Sequence, residues 1–414
     1  MKDERTETTL SNGITRRDIM KLAGTYGLTS TLLAAASLAG PVSLPGIAKA
    51  ASATDERRYK NTPKVQLKYG GDGFDERQLL ILRAGMLDFI RDIEERTDGA
   101  VRIEFFGSNQ ISTQTNGISK TQQGIIDMFA ATTQNSASQA PFYNVLDFPY
   151  LFPTRASAYH FLYHPECAKW FREPLLKMHG VLFLFSPVEL RSIYLGDKYR
   201  GKPLVNSLEE LKGAKIRTSG SQLGGIGLSM LGLNPVPVAW EETTDALRQG
   251  LVDGQETYAS AVAHGGMAPV TTQAIEVEYF SGICHTAISG KVFDKMPGEL
   301  QDAMLESAYW TQTFCQTANE ASRHNVVGAS NYPEPGTSYD RFKILFKSFT
   351  REEKEEFEKM ASPKHQPGPY AQWRERLNKW SGCDDIFQKI YDIAREIPYE
   401  TQPDAVPQRR WWRS

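Results

Sequence analysis

The segment from Lys215 to Glu256 carries the side chains with the clearest chemical potential in this chain. Arg217 stands at the end of a short strand-like run, and Trp240 follows the Asn-Pro-Val-Pro sequence at 234–237, just before a helical pattern. A guanidinium is planar and permanently charged, and its fork of N–H donors matches a carboxylate through two parallel hydrogen bonds. The segment offers no evident nucleophile and no metal-ligand cluster. Its pattern therefore predicts binding of a small carboxylate rather than catalysis.

Two other patterns resemble enzyme motifs but lack the residues that the chemistry needs. His285 lies in the sequence Cys-His-Thr, and no G-x-S-x-G or H-E-x-x-H motif accompanies it. The glycine-rich run 220–232 follows a strand-like segment and opens a helix, as a dinucleotide loop does. Met230 stands where the third glycine of G-x-G-x-x-G is required. We therefore expect His285 to be a structural polar residue. We also expect the protein to bind no cofactor and to have no enzymatic activity.

The four cysteines, Cys167, Cys284, Cys315 and Cys383, are far apart in the sequence. Without a C-x-x-C pair they give no support for a zinc or iron–sulfur centre, so no metal site is predicted. Four cysteines allow three complete disulfide pairings, and the sequence does not choose among them. Cysteine is also among the most often buried residue types, so we expect these four to be small, buried apolar side chains.

Strand-like runs alternate with longer helical patterns along the chain, which predicts an α/β fold. Strands are expected at 65–69, 101–106 and 127–131, with a helix over 77–95 between the first two. Two further strands, at 181–186 and 191–195, are joined without an intervening helix. A chain of two lobes could cross from one lobe to the other at that point.

The second half of the chain is mostly helical in pattern. One long helix is expected from Pro297 to about Val327, and three shorter ones over 351–360, 370–380 and 384–395. The tail that ends in Arg-Arg-Trp-Trp-Arg-Ser is expected to be a frayed terminus. No stretch within these elements is long and apolar enough to span a membrane.

Residues 1–50 have the pattern of a twin-arginine export signal. Arg16 and Arg17 precede a mildly apolar stretch that ends at Ala48-Lys49-Ala50, an A-x-A cleavage pattern. Glycines and prolines dilute the apolar stretch, which favours a cleaved signal over a membrane anchor. We therefore predict cleavage near Ala50 and a location in the periplasm, an oxidising compartment where disulfides are possible.

The charge balance of the chain excludes one class of partner. The sequence holds 47 Lys and Arg against 49 Asp and Glu, a formal net charge of −2. Binding to the nucleic-acid backbone depends on an excess of positive charge, and the chain has none. Nucleic acid is therefore not an expected partner.

Three blocks of sequence resemble the solute-binding proteins of TRAP transporters, of the C4-dicarboxylate-binding, DctP-like type. The first is Val-Leu-Asp-Phe-Pro-Tyr-Leu-Phe at 145–152, close to the family's "LDLPFLF" run. The second is Gly-Ala-Lys-Ile-Arg at 213–217, its "GxKIR" strand. The third runs from Leu233 to Glu256 and ends in Val-Asp-Gly-Gln-Glu, as the family's "VVDGQE" segment does. The resemblance extends from about residue 65 to 330.

The resemblance implies a two-lobe periplasmic binding protein fold, with hinge-crossing strands and a long helix that spans both lobes. Lobe 1 would comprise residues 60–188 plus about 284–322. Lobe 2 would comprise 189–283 plus about 323–400 with the C-terminal helices, followed by a tail at 401–414.

The resemblance also implies a function and a set of site residues. An organic anion would lie in the interlobe cleft with its carboxylate on Arg217, the family's "KIR" arginine. Arg191 matches a second family arginine, and Trp240 the aromatic residue that packs beside the ligand. Thr257 follows Asp-Gly-Gln-Glu where relatives commonly have Asn, and Asn135 lies in an uncharged loop that lines the cleft in relatives. Separate TRAP membrane permease subunits would be the partner.

Several alternatives stay open at this level. An exported oxidoreductase with a bound cofactor is the main rival, because twin-arginine export often serves proteins that fold around a cofactor. A binding protein for a ligand other than a carboxylate is another. Because Thr257-Tyr258 replaces the usual Asn-Pro, the resemblance indicates the class of ligand and not the particular acid. Metal bridging of the ligand, disulfide state and a possible homodimer also stay open.

Overall fold

The computed structural model of the chain describes residues 56–71, 81–329 and 332–413. The predicted export signal at 1–50 and the first residues of the helix predicted over 77–95 lie outside them. Within the described ranges, every helix is too short or too polar to cross a bilayer.

Ten strands and fifteen α-helices make up the described fold, in addition to short 3₁₀ and π turns. The strands are β1 Val65–Gly70, β2 Val101–Phe106, β3 Met128–Thr132, β4 Val181–Phe185, β5 Val188–Leu195, β6 Lys215–Thr218, β7 Asn234–Pro237, β8 Gly254–Thr257, β9 Gln273–Ser289 and β10 Leu345–Ser348. The helices are α1 Ile81–Arg96, α2 Gly117–Gln122, α3 Thr133–Ser136, α4 Arg155–Tyr163, α5 Pro165–Cys167, α6 Glu173–His179, α7 Gln222–Met230, α8 Thr243–Arg248, α9 Ala259–His264, α10 Gly290–Asp294, α11 Gly298–Val326, α12 Ser338–Phe342, α13 Arg351–Ala361, α14 Ala371–Ser381 and α15 Ile386–Ile393.

The strands form one mixed sheet with the order β2-β1-β3-β9-β5-β8-β6-β7, and β4 and β10 also pair with β9. The long strand β9 divides this sheet into two halves. Residues 284–289 of β9 pair with β3 and β4, whereas residues 273–283 pair with β5 and β10. The first half-sheet therefore contains β1–β4 and the second contains β5–β8 and β10. This mixed sheet with helices on its faces confirms the predicted α/β class.

The crossing strand β9 was not predicted from the sequence. Only part of β5, at 191–195, was predicted as a strand near the crossing between lobes. Glu278, in the middle of β9, has a φ of 45°, a left-handed value that is strained for a non-glycine residue. The pairing of β5 with β9 also shifts register between Arg191 and Ile193. The strand is therefore irregular close to the place where it passes from one half-sheet to the other.

The long helix predicted from Pro297 to about Val327 is confirmed as α11. It packs against α1 beside the first half-sheet and against α9 and α12, whose side chains join the cores of the second half. It bridges both halves along with β9, as expected of a spanning helix.

The three predicted C-terminal helices are present, but they divide between the two halves. Phe357 of α13 packs against the core of the second half-sheet. Phe387 of α15 contacts Phe148, with ring centroids 5.1 Å apart, and α14 joins the same first core. All three were predicted to belong to the second lobe. The division arises because the apolar face of α15 packs against the aromatic cluster around Phe148. The lobe boundaries themselves stay a prediction.

The expectation of a frayed C-terminus is wrong for the described part of the tail. Trp411 is 4% exposed and packs near Tyr163 and Tyr309. Arg410 forms a forked salt bridge with Glu306 on α11. Burying a large aromatic side chain is favourable enough to hold the tail against the first core.

Candidate functional site

Arg217 is the third of the four residues of strand β6, which lies between β7 and β8, and it is buried with only 1% of its surface exposed. Its Nε donates a hydrogen bond to the backbone oxygen of Val238 at 2.9 Å. Its terminal nitrogens, Nη1 and Nη2, have no hydrogen-bond partner among the described residues. Burial lowers the pKa of Arg217 to about 10, against the opposing effect of Glu256, so the side chain remains charged at neutral pH.

Trp240, predicted to pack beside the ligand, lies close to this guanidinium. The carbon at the centre of the Arg217 guanidinium is 5.7 Å from the centroid of the Trp240 ring, within the range of a cation–π contact. Trp240 begins a short 3₁₀ helix, Trp240–Glu242, separated from the end of β7 by two residues. The proline-rich strand thus positions a flat apolar wall next to the charge.

Arg191 is occupied by a different partner. Its Nε forms a buried ion pair with Oε2 of Glu256, and its Nη2 donates to the backbone oxygen of Glu256 at 3.1 Å. Oε1 of the same carboxylate accepts a hydrogen bond from the backbone N–H of Ser219 at 2.9 Å. Burial by itself would lower the pKa of Arg191, but the negative charge of Glu256 and its hydrogen bond raise the pKa above its usual value. The geometry makes Arg191 first of all the counterion that fixes Glu256.

Several polar atoms around the ends of β6 and β8 are buried without a partner in the described part of the chain. They are the hydroxyls of Thr218, Ser219 and Thr257 and both side-chain polar atoms of Gln255. Buried polar groups in proteins are nearly always hydrogen-bonded, so such a group of orphaned atoms calls for an explanation. Thr257, a predicted site residue, is fully buried at the end of β8. Its hydroxyl is available for a hydrogen bond.

Helix α3, which follows β3, lies opposite these strand ends. A side chain at Gly220 would have its Cβ 3.5 Å from the backbone oxygen of Gln134, which places the turn after β6 directly against α3. Asn135, the predicted residue of this loop, donates from its side-chain amide to Oε1 of Gln114 at 2.7 Å. Its amide nitrogen is therefore already engaged, whereas Oε1 of Gln134 and the hydroxyl of Ser136 have no partner among the described residues.

Asp147 is a buried carboxyl that the sequence analysis did not single out. Its Oδ1 accepts hydrogen bonds from the Thr133 hydroxyl at 3.0 Å and from Nε2 of Gln134 at 2.8 Å. Its Oδ2 has no partner among the described residues. Burial raises the pKa of Asp147 to about 7, although these hydrogen bonds and the charge of Arg191 oppose the shift. A proton near neutral pH can therefore change the charge beside α3.

The residues that the sequence analysis missed lie next to those that it named. Thr218 and Ser219 follow Arg217, Gln255 precedes Glu256, and Asp147 lies in the apolar Leu-Asp-Phe-Pro run. A lone carboxylate inside an apolar, proline-interrupted segment was the one available signal for Asp147. For Thr218, Ser219 and Gln255, the functional indication is that their polar atoms are buried without a partner among the described residues. The sequence of a short polar strand does not show such burial.

The expectation that His285 has a structural role agrees with its surroundings. Its Nε2 is 2.7 Å from the hydroxyl of Tyr143, and its ring stacks on Phe183 at a centroid distance of 5.7 Å. Burial lowers the pKa of His285 to about 3, so the ring is neutral. The four cysteines form no disulfide with one another, and three of them are buried, as expected of small apolar side chains.

A surface cavity of about 260 Å³ lies away from these residues, among α13, Arg395 and Tyr399. Its charged groups neutralise one another, because Lys354 pairs with Glu278 and Arg395 with Glu358. We therefore locate the candidate anion site at Arg217 and not in this cavity.

A family model described as "Bacterial extracellular solute-binding protein, family 7" matches residues 80–368, well over half of the chain. Among curated proteins, the 2,3-diketo-L-gulonate-binding periplasmic protein YiaO of Escherichia coli strain K12 is 26% identical over 223 residues, which is 52% of this chain and 64% of that protein. The uncharacterized protein YiiZ of Salmonella typhimurium is 28% identical over 181 residues, 43% of this chain. The chain spans 54% of YiiZ, so both matches cover less than two thirds of the relative.

Among solved structures, a similar one is the sugar acid binding protein DctPAm of Advenella mimigardefordensis in complex with galactonate. The TM-score is 0.65 at 20% identity, over 81% of this chain and 99% of that chain. At this identity the likeness establishes the two-lobe fold alone. It confirms the fold that the sequence resemblance implied.

Proposed function

We propose, on the premise that this chain belongs to the bacterial extracellular solute-binding proteins of family 7, that it captures a small organic acid in an interlobe cleft and delivers it to a TRAP-type membrane permease. The receptor catalyses no reaction and needs no cofactor. The permease subunits would be separate proteins.

One observation carries this proposal: the guanidinium of Arg217 is buried, charged and has two terminal nitrogens without an acceptor in the described part of the chain. A buried charge is costly unless it is paired and hydrogen-bonded. A ligand carboxylate supplies both features, because its two oxygens match the two terminal nitrogens in the fork geometry. Each charge-assisted hydrogen bond contributes roughly 1.5–3 kcal/mol.

The other site residues act around this ion pair. Trp240 would shield it from water, and Thr257 would donate or accept a hydrogen bond with its unpartnered hydroxyl. Arg191 would contribute indirectly, by holding Glu256 in place. Asn135 would contact the ligand with its side-chain amide, of which one hydrogen is already donated to Gln114.

The polar surroundings favour a ligand that carries hydroxyl groups as well as a carboxylate. Thr218, Ser219, Gln255 and Gln134 all hold buried side-chain atoms that can bond to hydroxyls. The similar proteins above are described as binding 2,3-diketo-L-gulonate and galactonate, both polyhydroxylated monoacids. We therefore propose a sugar acid in preference to a C4-dicarboxylate, which would need a second cation.

Closure of the two lobes would complete the site. The turn at Gly220 already lies against α3, and the Ser221 hydroxyl is 3.4 Å from Oδ1 of Asn144. Contacts of this kind form when the lobes close around a ligand and exclude water from it. Lobe boundaries near residues 188, 284 and 322 are part of this proposal, with α14 and α15 assigned to the first lobe because they pack in its core.

The proposed place of action is the periplasm. The twin-arginine pattern at Arg16-Arg17 and the A-x-A pattern before residue 51 support export and cleavage near Ala50. Mass spectrometry of the protein recovered from the periplasm tests this step, and a mature N-terminus near Ala51 is the expected result.

A thermal-shift panel followed by calorimetry tests the binding function. We expect galactonate, a uronate or a related acid to raise the melting temperature by a few degrees, because a ligand that binds only the folded state stabilises it by mass action. The matched neutral sugars, galactose and glucose, should have no effect. A shift with neutral sugars and none with any carboxylate would overturn the proposal, as would visible absorbance from a tightly bound redox cofactor.

A further inference from the structure

Two histidines and a glutamate meet on the surface of the first half, away from Arg217. His160 lies in α4, and His164 follows one turn later, just after the helix ends. Glu396 comes from the segment after α15 and lies between them. Its Oε2 is 3.0 Å from Nε2 of His160 and 3.4 Å from Nε2 of His164.

We propose that His160, His164 and Glu396 form a binding site for one divalent transition-metal ion of the zinc type. Imidazole nitrogen and carboxylate oxygen are the donors that such ions select. The end of α4 brings the two imidazole rings together, with their centroids 5.6 Å apart. Two histidines and one glutamate leave the fourth position of a tetrahedral ion to a water molecule or another ligand.

The distances fit a tetrahedral ion. Bonds of about 2.0–2.1 Å to zinc place neighbouring ligand atoms roughly 3.4 Å apart. Oε2 of Glu396 lies 3.0 and 3.4 Å from the two ring nitrogens, at or slightly below that value. All three ligand atoms lie within 4.8 Å of one another. The centroids of the His160 and His164 rings are 5.6 Å apart, so a small rotation of the two rings completes the geometry. Elsewhere in the described ranges, no comparable group of three such side chains is found.

The charged groups around the site favour a cation. Glu396 and Glu166 bring negative charge, and Arg409 is the opposing positive group. Nδ1 of His164 accepts a 3.2 Å hydrogen bond from the backbone N–H of Glu166. Metal on Nε2 places the proton on Nδ1, so this long hydrogen bond is exchanged for the metal bond.

The site joins two parts of the chain that are far apart in sequence. Its histidines lie on α4 of the first half and its carboxylate on the C-terminal segment, so a bound ion would fasten that segment in place. Such an ion stabilises the fold by the free energy of its binding. The role is independent of ligand capture at Arg217.

Metal binding is tested with protein purified without a histidine tag and stripped with EDTA. Titration of Zn²⁺ against a chromophoric chelator should give one equivalent with a Kd of about 10 μM or tighter at pH 7.5, and a rise in melting temperature. His160→Gln/His164→Gln should weaken binding at least about 100-fold, because even changes next to metal ligands cost about 10–100-fold. His324→Gln/His365→Gln, two exposed histidines outside the group, is the matched control and should bind as the wild type does.

Glu396→Gln provides a second variant that should not disturb folding, because its side chain is 50% exposed. It should lose most of the Zn²⁺ affinity and keep the melting temperature of the metal-free protein. Binding weaker than about 100 μM in the wild type, or equal binding by the double variant and its control, would overturn the proposal. The titration contains no organic acid, so its outcome does not depend on the proposed receptor function.

Discussion

Nη1 of Arg217 lies 4.0 Å from Oε1 of Glu256, near enough for charge attraction and too far for a hydrogen bond. Glu256 directs its oxygens to Arg191 and to the backbone of Ser219 instead. The cluster thus holds two guanidinium groups and one carboxylate, with Arg217 as the incompletely paired member. This arrangement offers net positive charge to a ligand without loosening the surrounding structure.

Replacing Arg217 with alanine should abolish binding of the organic acid. The ligand carboxylate would be buried without its main counterion, which costs roughly 3–5 kcal/mol, equivalent to a loss of about 150-fold to a few thousandfold in affinity. Arg217→Lys should restore little, because an ammonium cannot form the two parallel bonds. Calorimetry measures both, with Arg248→Ala, which replaces an exposed side chain of α8, as the control. A loss smaller than tenfold for Arg217→Ala would contradict the assignment.

Arg191→Ala should reduce stability more than a simple ligand contact would. The substitution leaves Glu256 buried with its closest counterion gone, which costs about 3–5 kcal/mol in the free energy of unfolding. Denaturant unfolding without ligand measures this effect. The double variant Arg191→Met/Glu256→Gln should recover much of the loss, because it removes both charges. An unchanged unfolding free energy for Arg191→Ala would instead favour a direct role with the ligand.

Asp147 should make the protein less stable as the pH rises from about 4 to about 7. The pKa of Asp147 in the folded state is raised to about 7, above the value of about 3.9 in an unfolded chain. The folded state therefore binds the extra proton in this window, and its stability falls by up to about 1.4 kcal/mol per pH unit before levelling off above pH 7. Unfolding in urea at several pH values measures the slope. Asp147→Asn should abolish this component, and an identical slope in the variant would refute it.

Glu278 should act in the opposite direction at lower pH. Burial alone would raise its pKa, but the charges of Lys354, Arg323 and Arg155 lower the pKa of Glu278 to about 2. Its contribution to stability is complete above the unfolded pKa of about 4.3 and is lost as the pH falls towards 2. Glu278→Gln should therefore flatten the acid branch of the stability curve, as followed by circular dichroism.

The matched control for that experiment is Glu355→Gln. Glu355 is an exposed residue of α13 paired with Arg351, and such surface pairs contribute at most about 1 kcal/mol. The acid branch of this variant should follow that of the wild type. If Glu278→Gln also follows it, the ion pair at the crossing strand contributes nothing to acid stability.

The sequence predicted the fold class, the long helix and the position of Arg217, because each depends on local pattern or on a distinctive motif. Arg217 lies in a strand that is visible as a strand, and its position in the "KIR" block is specific. The partner of Arg191 was not predictable, because the pairing joins residues 65 positions apart through the meeting of β5 and β8. Asp147 was missed for a related reason, since its raised pKa is a consequence of burial. The buried tail at Trp411 shows the same limit, because nothing local indicates that a terminal tryptophan will find the first core.

Strand β9 contributes backbone hydrogen bonds to both half-sheets within a single run of seventeen residues. The two half-sheets share β9. A chain cut after residue 188 would separate β1–β4 from residues 284–289 of β9, and the first half-sheet would have an exposed edge in place of its central strand. The two lobes are therefore not separable modules in the evolutionary or the engineering sense. They should melt in one cooperative transition, and a contiguous fragment such as residues 60–188 would lack the piece of β9 around which the first half-sheet is organised.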